Sequence, residues 1–231
     1  MVILGIDTSA IVSTCAICDI GEHPKVIASG SLNTKLTHSQ TLVPFMESLM
    51  KGADISLDDI DAFAVSVGPG SFTGLRIGIS AIKGMAFAQN KPVRPVSTLL
   101  GIAHNFTVTD AIICAVMDAR CNQVYNALFR VQNGLVMRLC DDRALFIDDL
   151  KKELSKYSER IILAGDGADL VYSKINDGLI ELAPPALKYQ SGTGICFASE
   201  QCSDISAEAL MPTYLRLPQA ERERLAKEAK K

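Results

Sequence analysis

Residues 67–86 read VGPGSFTGLRIGISAIKGMA and follow an apolar run from Asp61 to Val67. Beyond the glycines, Leu75, Ile79, Ile82, Met85 and Ala86 recur at helical spacing, so the order is strand, glycine-rich turn, helix. The front of the stretch can cradle an anion with backbone N–H groups at a helix N-terminus. No Lys sits among its glycines, which excludes a P-loop. Gly70, Gly74 and Gly78 stand four apart and line up along one helix face. Gly inside a helix costs about 1 kcal/mol relative to Ala, so such a row needs a physical reason. That reason is close approach of another backbone, either a strand of the same lobe or a helix of a second subunit.

Upstream, residues 2–7, 11–19 and 25–31 read as three successive strands. Thr37 then precedes a helix in which Leu42, Phe45, Met46, Leu49 and Met50 repeat, with Gly52 as its stop. Ser56 and Asp59 open a single helical turn. Downstream, Arg94 to Val96 gives a short strand, and Ser97 caps a helix through Ala103. From Ala111 the order begins again. A strand AIICAVMDA is followed by a strand from Gln123 to Val131, the hairpin signal Asn133-Gly134, and a strand from Leu135 to Leu139. A helix over Ile147 to Lys156 and a strand over Arg160 to Ala164 lead into GDGADL, a second glycine turn without a P-loop lysine. Asp7-Thr8-Ser9 corresponds to Asp118-Ala119-Arg120, and Gly68-Pro69-Gly70 to Gly165-Asp166-Gly167. The expected fold is a duplicated α/β lobe with a cleft between the copies. Its expected parts are residues 1–105, residues 106–210, and a strand with a charged helical tail over 211–231. In that tail Pro212 to Leu217 reads as a strand, while Glu223 with Lys227 and Arg224 with Glu228 are spaced as helical ion pairs.

The chain has 231 residues, 48% apolar and 21% charged, which is globular composition. Lys and Arg total 23 against 26 Asp and Glu, so charge alone does not hold nucleic acid. The start, MVILGIDTSA, lacks a basic region followed by a long apolar one, and no apolar run approaches bilayer length, so a cytoplasmic protein is expected. Seven cysteines, mostly inside apolar runs, read as reduced core residues. Cys15 and Cys18 form a C-x-x-C, but their odd separation within a strand sends them to opposite faces.

Gly5-Ile6-Asp7-Thr8-Ser9 puts an acid and two hydroxyls in a tight turn. In the actin, sugar kinase and Hsp70 architecture such a turn holds Mg²⁺ and the terminal phosphates of ATP, with Asp118 here as a second carboxylate. The plainer reading is a turn whose Asp and Ser bond their own backbone. Asp7, Thr8, Ser9 and Asp118 therefore mark a vestigial nucleotide cleft, with no cofactor expected. His23, His38 and His104 are too widely spaced for a local helical metal pair, and no G-x-S-x-G elbow marks a hydrolase. His38 reads as a polar residue in the first turn of its helix.

GIDTS, HSQTLVP, VGPGSFTGLRIG, VSTLLGIA, MDAR followed by VY, and PTYLR occur in this order over almost the whole chain. Together they resemble the TsaB (YeaZ-like) family of bacterial tRNA threonylcarbamoyladenosine biosynthesis proteins. The resemblance implies a two-lobed actin-like ATPase (ASKHA, ribonuclease H-like) fold and a non-catalytic paralogue of the transferase TsaD. It implies a heterodimer with TsaD, a further partner in the ATPase TsaE and tRNA contact only within the complex, and leaves monomer and homodimer open for the chain alone. The family's subunit contact is a bundle of the first two helices, matched here by Thr37 to Met50 and Gly74 to Gln89. Joined to the glycine row, this gives expected contact residues His38, Leu42, Phe45, Met46, Leu49, Gly70, Gly74, Leu75, Gly78 and Ile82. One departure is Cys121-Asn122-Gln123 after MDAR, where the family usually carries Gly-Glu. The rival readings are an active Mg-ATP-dependent phosphotransferase or ATPase of the same fold, and a metallopeptidase, which the histidine spacing disfavours.

Overall fold

A computed structural model describes residues 1–175 and 178–216. Strands β1 (Val2–Asp7), β2 (Ser13–Asp19) and β3 (Lys25–Leu32) form an antiparallel meander, followed by helix α1 (His38–Gly52). The unit β4 (Ala62–Gly68), α2 (Phe72–Gln89) and β5 (Val93–Ser97) then returns to the sheet in parallel, giving the order β3-β2-β1-β4-β5. Helix α3 (Thr98–Ala103) leads across to the second half.

There β6 (Ala111–Asp118), β7 (Gln123–Gln132) and β8 (Leu135–Arg138) form the second meander, and a short β9 (Arg143–Phe146) pairs with β7. Helix α4 (Ile147–Leu154), β10 (Ile161–Ala164), α5 (Ala168–Tyr172), β11 (Ile180–Leu182), α6 (Pro185–Lys188) and α7 (Gly192–Ala198) complete the described elements. The second sheet runs β11-β10-β6-β7-β8, which is the first sheet's order with corresponding strands in corresponding places. The expected duplication is present, in the α/β two-lobed actin-like form.

Local chemistry accounts for the boundaries. Gln40 Oε1 reaches back to the N–H of Thr37, 3.3 Å away, at the start of α1. Ser71 Oγ accepts from the Gly74 N–H at 3.2 Å and caps α2. Asn133 and Gly134 take φ of +52° and +80°, the left-handed pair that a two-residue hairpin requires. The Ser56–Asp59 turn closes through a 2.8 Å bond from the Ser56 N–H to Asp59 Oδ2.

Three apolar layers hold the halves. Leu4, Ile6, Phe63 and Val65 of the first sheet bury Leu42 and Met46 of α1 and Leu75, Ile79 and Ile82 of α2. On the far side of the second sheet, Ile112, Cys114 and Leu163 cover Leu150 and Leu154 of α4 and Val171 of α5. Between the lobes, α3 and α7 pack on each other and are exchanged: α3 runs from the first sheet onto β6 and β7, and α7 runs from the second half onto β1 and β2. Both carry a serine cap, Ser97 accepting from the Leu100 N–H and Ser191 from the Gly194 N–H. Beyond α7, Ile205 bridges Val93 of β5, and Ala207 and Leu210 join the core of the first lobe. The chain from Gly192 to Leu210 is thus packed on the first sheet, although it falls within the 106–210 part drawn from sequence. We propose the lobe division on packing, with 192–210 counted in the first lobe.

One further expectation is corrected. Residues 212–216 are not a strand: β4 already has β1 and β5 on its two sides, so only one ladder-like bond forms, from the Thr213 N–H to Val67 O at 2.7 Å. That carbonyl is available because the β4–β5 register slips between Ser66 and Gly68. The charged helical tail lies outside the described residues. All seven cysteines are free thiols, and Cys15 and Cys18 do face opposite layers, one toward α1 and α2 and the other toward α7. Burial pushes the Cys15 thiol up to about 12.

Candidate functional site

The turn after β1 shows what the GIDTS residues do. Asp7 is fully buried; its Oδ1 accepts from the Ser9 N–H at 2.7 Å and the Ser9 hydroxyl at 2.6 Å. Thr8 Oγ1 donates to Gly74 O at 2.8 Å, and the Ser71 N–H donates to Ser9 O at 2.7 Å. This is the self-bonded turn of the plainer reading. It is also the backbone that the glycine row approaches. A Cβ on Gly74 would stand 2.1 Å from Thr8 O, one on Gly78 2.4 Å from Thr8 Oγ1, and one on Gly70 2.6 Å from Ser9 O. The first of the two alternatives for that row, an approach within the same lobe, is the one realised.

The same geometry fixes where the expected contact residues lie within the lobe. Leu75 and Ile82 are fully enclosed, Leu42 and Met46 all but so, and Gly70, Gly74 and Gly78 face the β1 turn. Phe45 and Leu49 pack on Gly30 of β3. His38 is half-buried, not simply a surface residue, and its Nε2 lies 2.7 Å from Ala10 O. The side of α1 and α2 left to solvent includes two of the expected residues, His38 and Leu42. It forms a groove of about 520 Å³ walled by His38, Ser39, Val43, Phe72, Arg76 and Ile77, with Ser80 and Ala81 at its end and Leu42 at its floor. Val43 is 56% exposed there. Thr73, Ile77 and Ala81, four apart on α2, were the available sequence signal.

Between the lobes lies a cleft of about 540 Å³, lined by Ser9, Gly70, Asp118, Arg120, Asp166 and Arg216 among others. Ser9 and Asp118 reach it as expected, whereas Asp7 and Thr8 lie sealed beneath it. Asp118 Oδ1 accepts from the Arg120 N–H at 2.7 Å, and its Oδ2 from Arg120 Nη1 at 3.1 Å. Arg120, Cys121 and Asn122 are three consecutive non-glycine residues in the left-handed region, with φ of +65°, +54° and +58°. Asp166, not singled out from sequence, is a further carboxylate lining the cleft. It occupies the middle of the second Gly-x-Gly, and its Oδ1 accepts from the Asp118 N–H at 3.3 Å.

Burial raises the carboxyls of Asp7 and Asp166 to about 6, from an ordinary value of 3.8. Asp7 is held down by Ser9 and Ser66 and pushed up by Asp166; Asp166 is held down by the Asp118 N–H and pushed up by the Asp118 charge. Asp7 Oδ2 and Ser66 Oγ are both buried without a hydrogen bond of good geometry, although Ser66 is close enough to favour the carboxylate. Among the described residues no three His, Cys, Asp or Glu side chains converge as a metal-ligand set, and no helix is long and apolar enough to cross a membrane.

The TsaD family model, described as tRNA N6-adenosine threonylcarbamoyltransferase, matches residues 31–223. The tRNA threonylcarbamoyladenosine biosynthesis protein TsaB of Bacillus subtilis (strain 168) is 30% identical over 226 residues, covering 96% of each chain. TsaB of Escherichia coli (strain K12) is 38% identical over 101 residues, covering 42% of this chain and 44% of that one. The solved structure of YeaZ from Pseudomonas aeruginosa superposes with a TM-score of 0.78 at 25% identity, covering 93% of this chain and 99% of that one. A likeness that runs nearly end to end in both chains, on a fold duplicated in the same way, makes this chain a member of the TsaB family of tRNA threonylcarbamoyladenosine biosynthesis proteins.

Proposed function

We propose that the chain serves tRNA threonylcarbamoyladenosine formation as a non-catalytic subunit, docking a TsaD-like transferase on the α1–α2 groove. The observation that carries this is the groove itself: two long helices of the first lobe leave a depression walled by the exposed Val43 and the half-buried Ile77, over the buried Leu42. In this reading a TsaE-like ATPase joins the assembly, tRNA is met only within it, and a second copy of the chain takes the groove when the transferase is absent. The cleft supports a structural role, because Asp7 Oδ1 and Thr8 Oγ1 are taken by their own turn and by α2 and both residues are sealed from the cleft.

Val43→Asp places a charge on the groove wall without touching the core. We expect it to weaken binding of the TsaD homologue of the same organism at least tenfold, about 1.4 kcal/mol, with an unchanged melt. Titration calorimetry and thermal melting on the same preparations check this; parental affinity removes the groove assignment.

A second reading has its own observation. Asp118 and Asp166 line the cleft and Asp7, sealed beneath it, is close enough to feel the Asp166 charge, an acidic grouping that an active Mg-ATP-dependent ATPase or phosphotransferase would need to open. Titration with Mg-ATP separates the two, and steady turnover abolished by Asp7→Ala would establish the enzyme.

A further inference from the structure

The segment Pro212–Arg216 crosses the mouth of the interlobe cleft and is tied down at both ends. On the first lobe, the Thr213 N–H donates to Val67 O at 2.7 Å. Gly68, at φ +129°, leaves room for the strap, since a Cβ there would stand 2.4 Å from Thr213 O. The Tyr214 ring stacks on Phe72 with centroids 4.9 Å apart, and Arg76 Nε donates to Tyr214 Oη at 2.9 Å while its guanidinium lies 4.0 Å over the Phe72 ring. On the second lobe, Arg216 Nη1 donates to Ala119 O at 2.6 Å.

The first-lobe anchor is shared with the groove. Phe72 and Arg76 wall it, whereas Tyr214 does not reach it. Arg76 spends only Nε on the strap; among the described residues its Nη1 and Nη2 have no hydrogen-bond partner, which leaves a fork suited to a carboxylate. We propose that residues 212–216 form a latch between the lobes, and that an apolar segment bearing a carboxylate, seated in the groove, tightens it through Arg76. The inference rests on the groove reading above and adds the occupant's chemistry and its coupling to the cleft. A carboxylate on Nη1 and Nη2 fixes the guanidinium over Phe72, and with it the bond to Tyr214 and the position of Arg216 on Ala119. By linkage, what the occupant gives the latch, the latch gives the occupant.

The test uses the full chain, the TsaD homologue of the same organism as occupant, and Tyr214→Phe, which deletes the acceptor of Arg76 and keeps the stack. Loss of one such hydrogen bond corresponds to about a fivefold change; because the bond is present without the occupant, only the strengthening that the occupant adds is lost, so Tyr214→Phe should weaken the homologue measurably, by up to about that factor, although residue 214 lies outside the groove. Saturating homologue should slow hydrogen exchange of the Thr213 amide in the parent but not in Tyr214→Phe. In an Arg76→Ala background, which itself binds more weakly, Tyr214→Phe should have no further effect. Parental affinity of Tyr214→Phe, or partner-induced slowing that survives it, overturns the latch. Val43→Asp separates the two levels. If it binds as the parent does, the groove reading falls and the latch coupling with it; if it does not bind and Tyr214→Phe binds fully, the latch alone falls.

Discussion

Asp7 carries its carboxyl entirely inside the protein, with one oxygen bonded twice to Ser9 and the other unpaired. Its folded-state value of about 6 lies above the ordinary 3.8, so between these limits the native state holds a proton that the unfolded chain has released. Stability from this residue is therefore present below about pH 4 and lost as pH rises toward 6, a difference of ~3 kcal/mol for a shift of this size. Asp7→Asn keeps an oxygen for Ser9 and removes the charge. We expect its unfolding free energy, relative to the parent, to improve as pH rises from 4 to 7, as measured by urea melts across that interval; a constant difference would refute this. From sequence, Asp7 was legible as a turn residue, because an acid two residues before a serine forms such a turn locally. Its burial was not, since what seals it is α2, packed on the turn 66 residues downstream.

At the level of the element, α2 offers a matched comparison. Gly74 and Gly84 lie in the same helix, yet a Cβ at Gly74 meets Thr8 O at 2.1 Å and one at Gly84 meets nothing within 4 Å. Gly84→Ala should raise stability by about 0.5–1 kcal/mol through helix propensity and reduced chain entropy. Gly74→Ala gains the same propensity but forces the β1 turn away from the helix, and should cost about 1–3 kcal/mol net. Thermal melts of the two variants, moving in opposite directions, check the assignment. Periodicity made the long elements legible: α1, α2 and the two meanders fall within a few residues of where sequence puts them. The misses are short. β9 and β11 have four and three residues and α7 seven with two glycines, too few for any period to register. The glycine row was legible as a close approach, but local spacing carries no information on what approaches, and the structure shows that it is the β1 turn.

Across the whole molecule, the exchange of α3 and α7 makes each lobe depend on chain from the other. Without α7, Ile3, Ala16 and Cys18 of the first sheet lose the cover of Ile195 and Cys196. Calorimetry should therefore show one cooperative transition for both lobes, and residues 1–105 alone should not melt cooperatively. Two resolved transitions would contradict the packing. The duplication was legible because both halves repeat the same local signals, whereas the helix exchange leaves no local trace.

The same exchange sets an order of events on the ribosome. The first sheet is complete once β5 has emerged, but the helix that covers its inner face ends at Ala198, roughly a hundred residues later, which at about 5–20 residues per second is a delay of roughly 5–20 s. Throughout that interval an apolar sheet face is displayed on a tethered, unfinished chain. The nascent protein should therefore need holding factors until Gly192–Ala198 arrives, and synthesis that stalls between residues 105 and 191 should yield an aggregation-prone fragment.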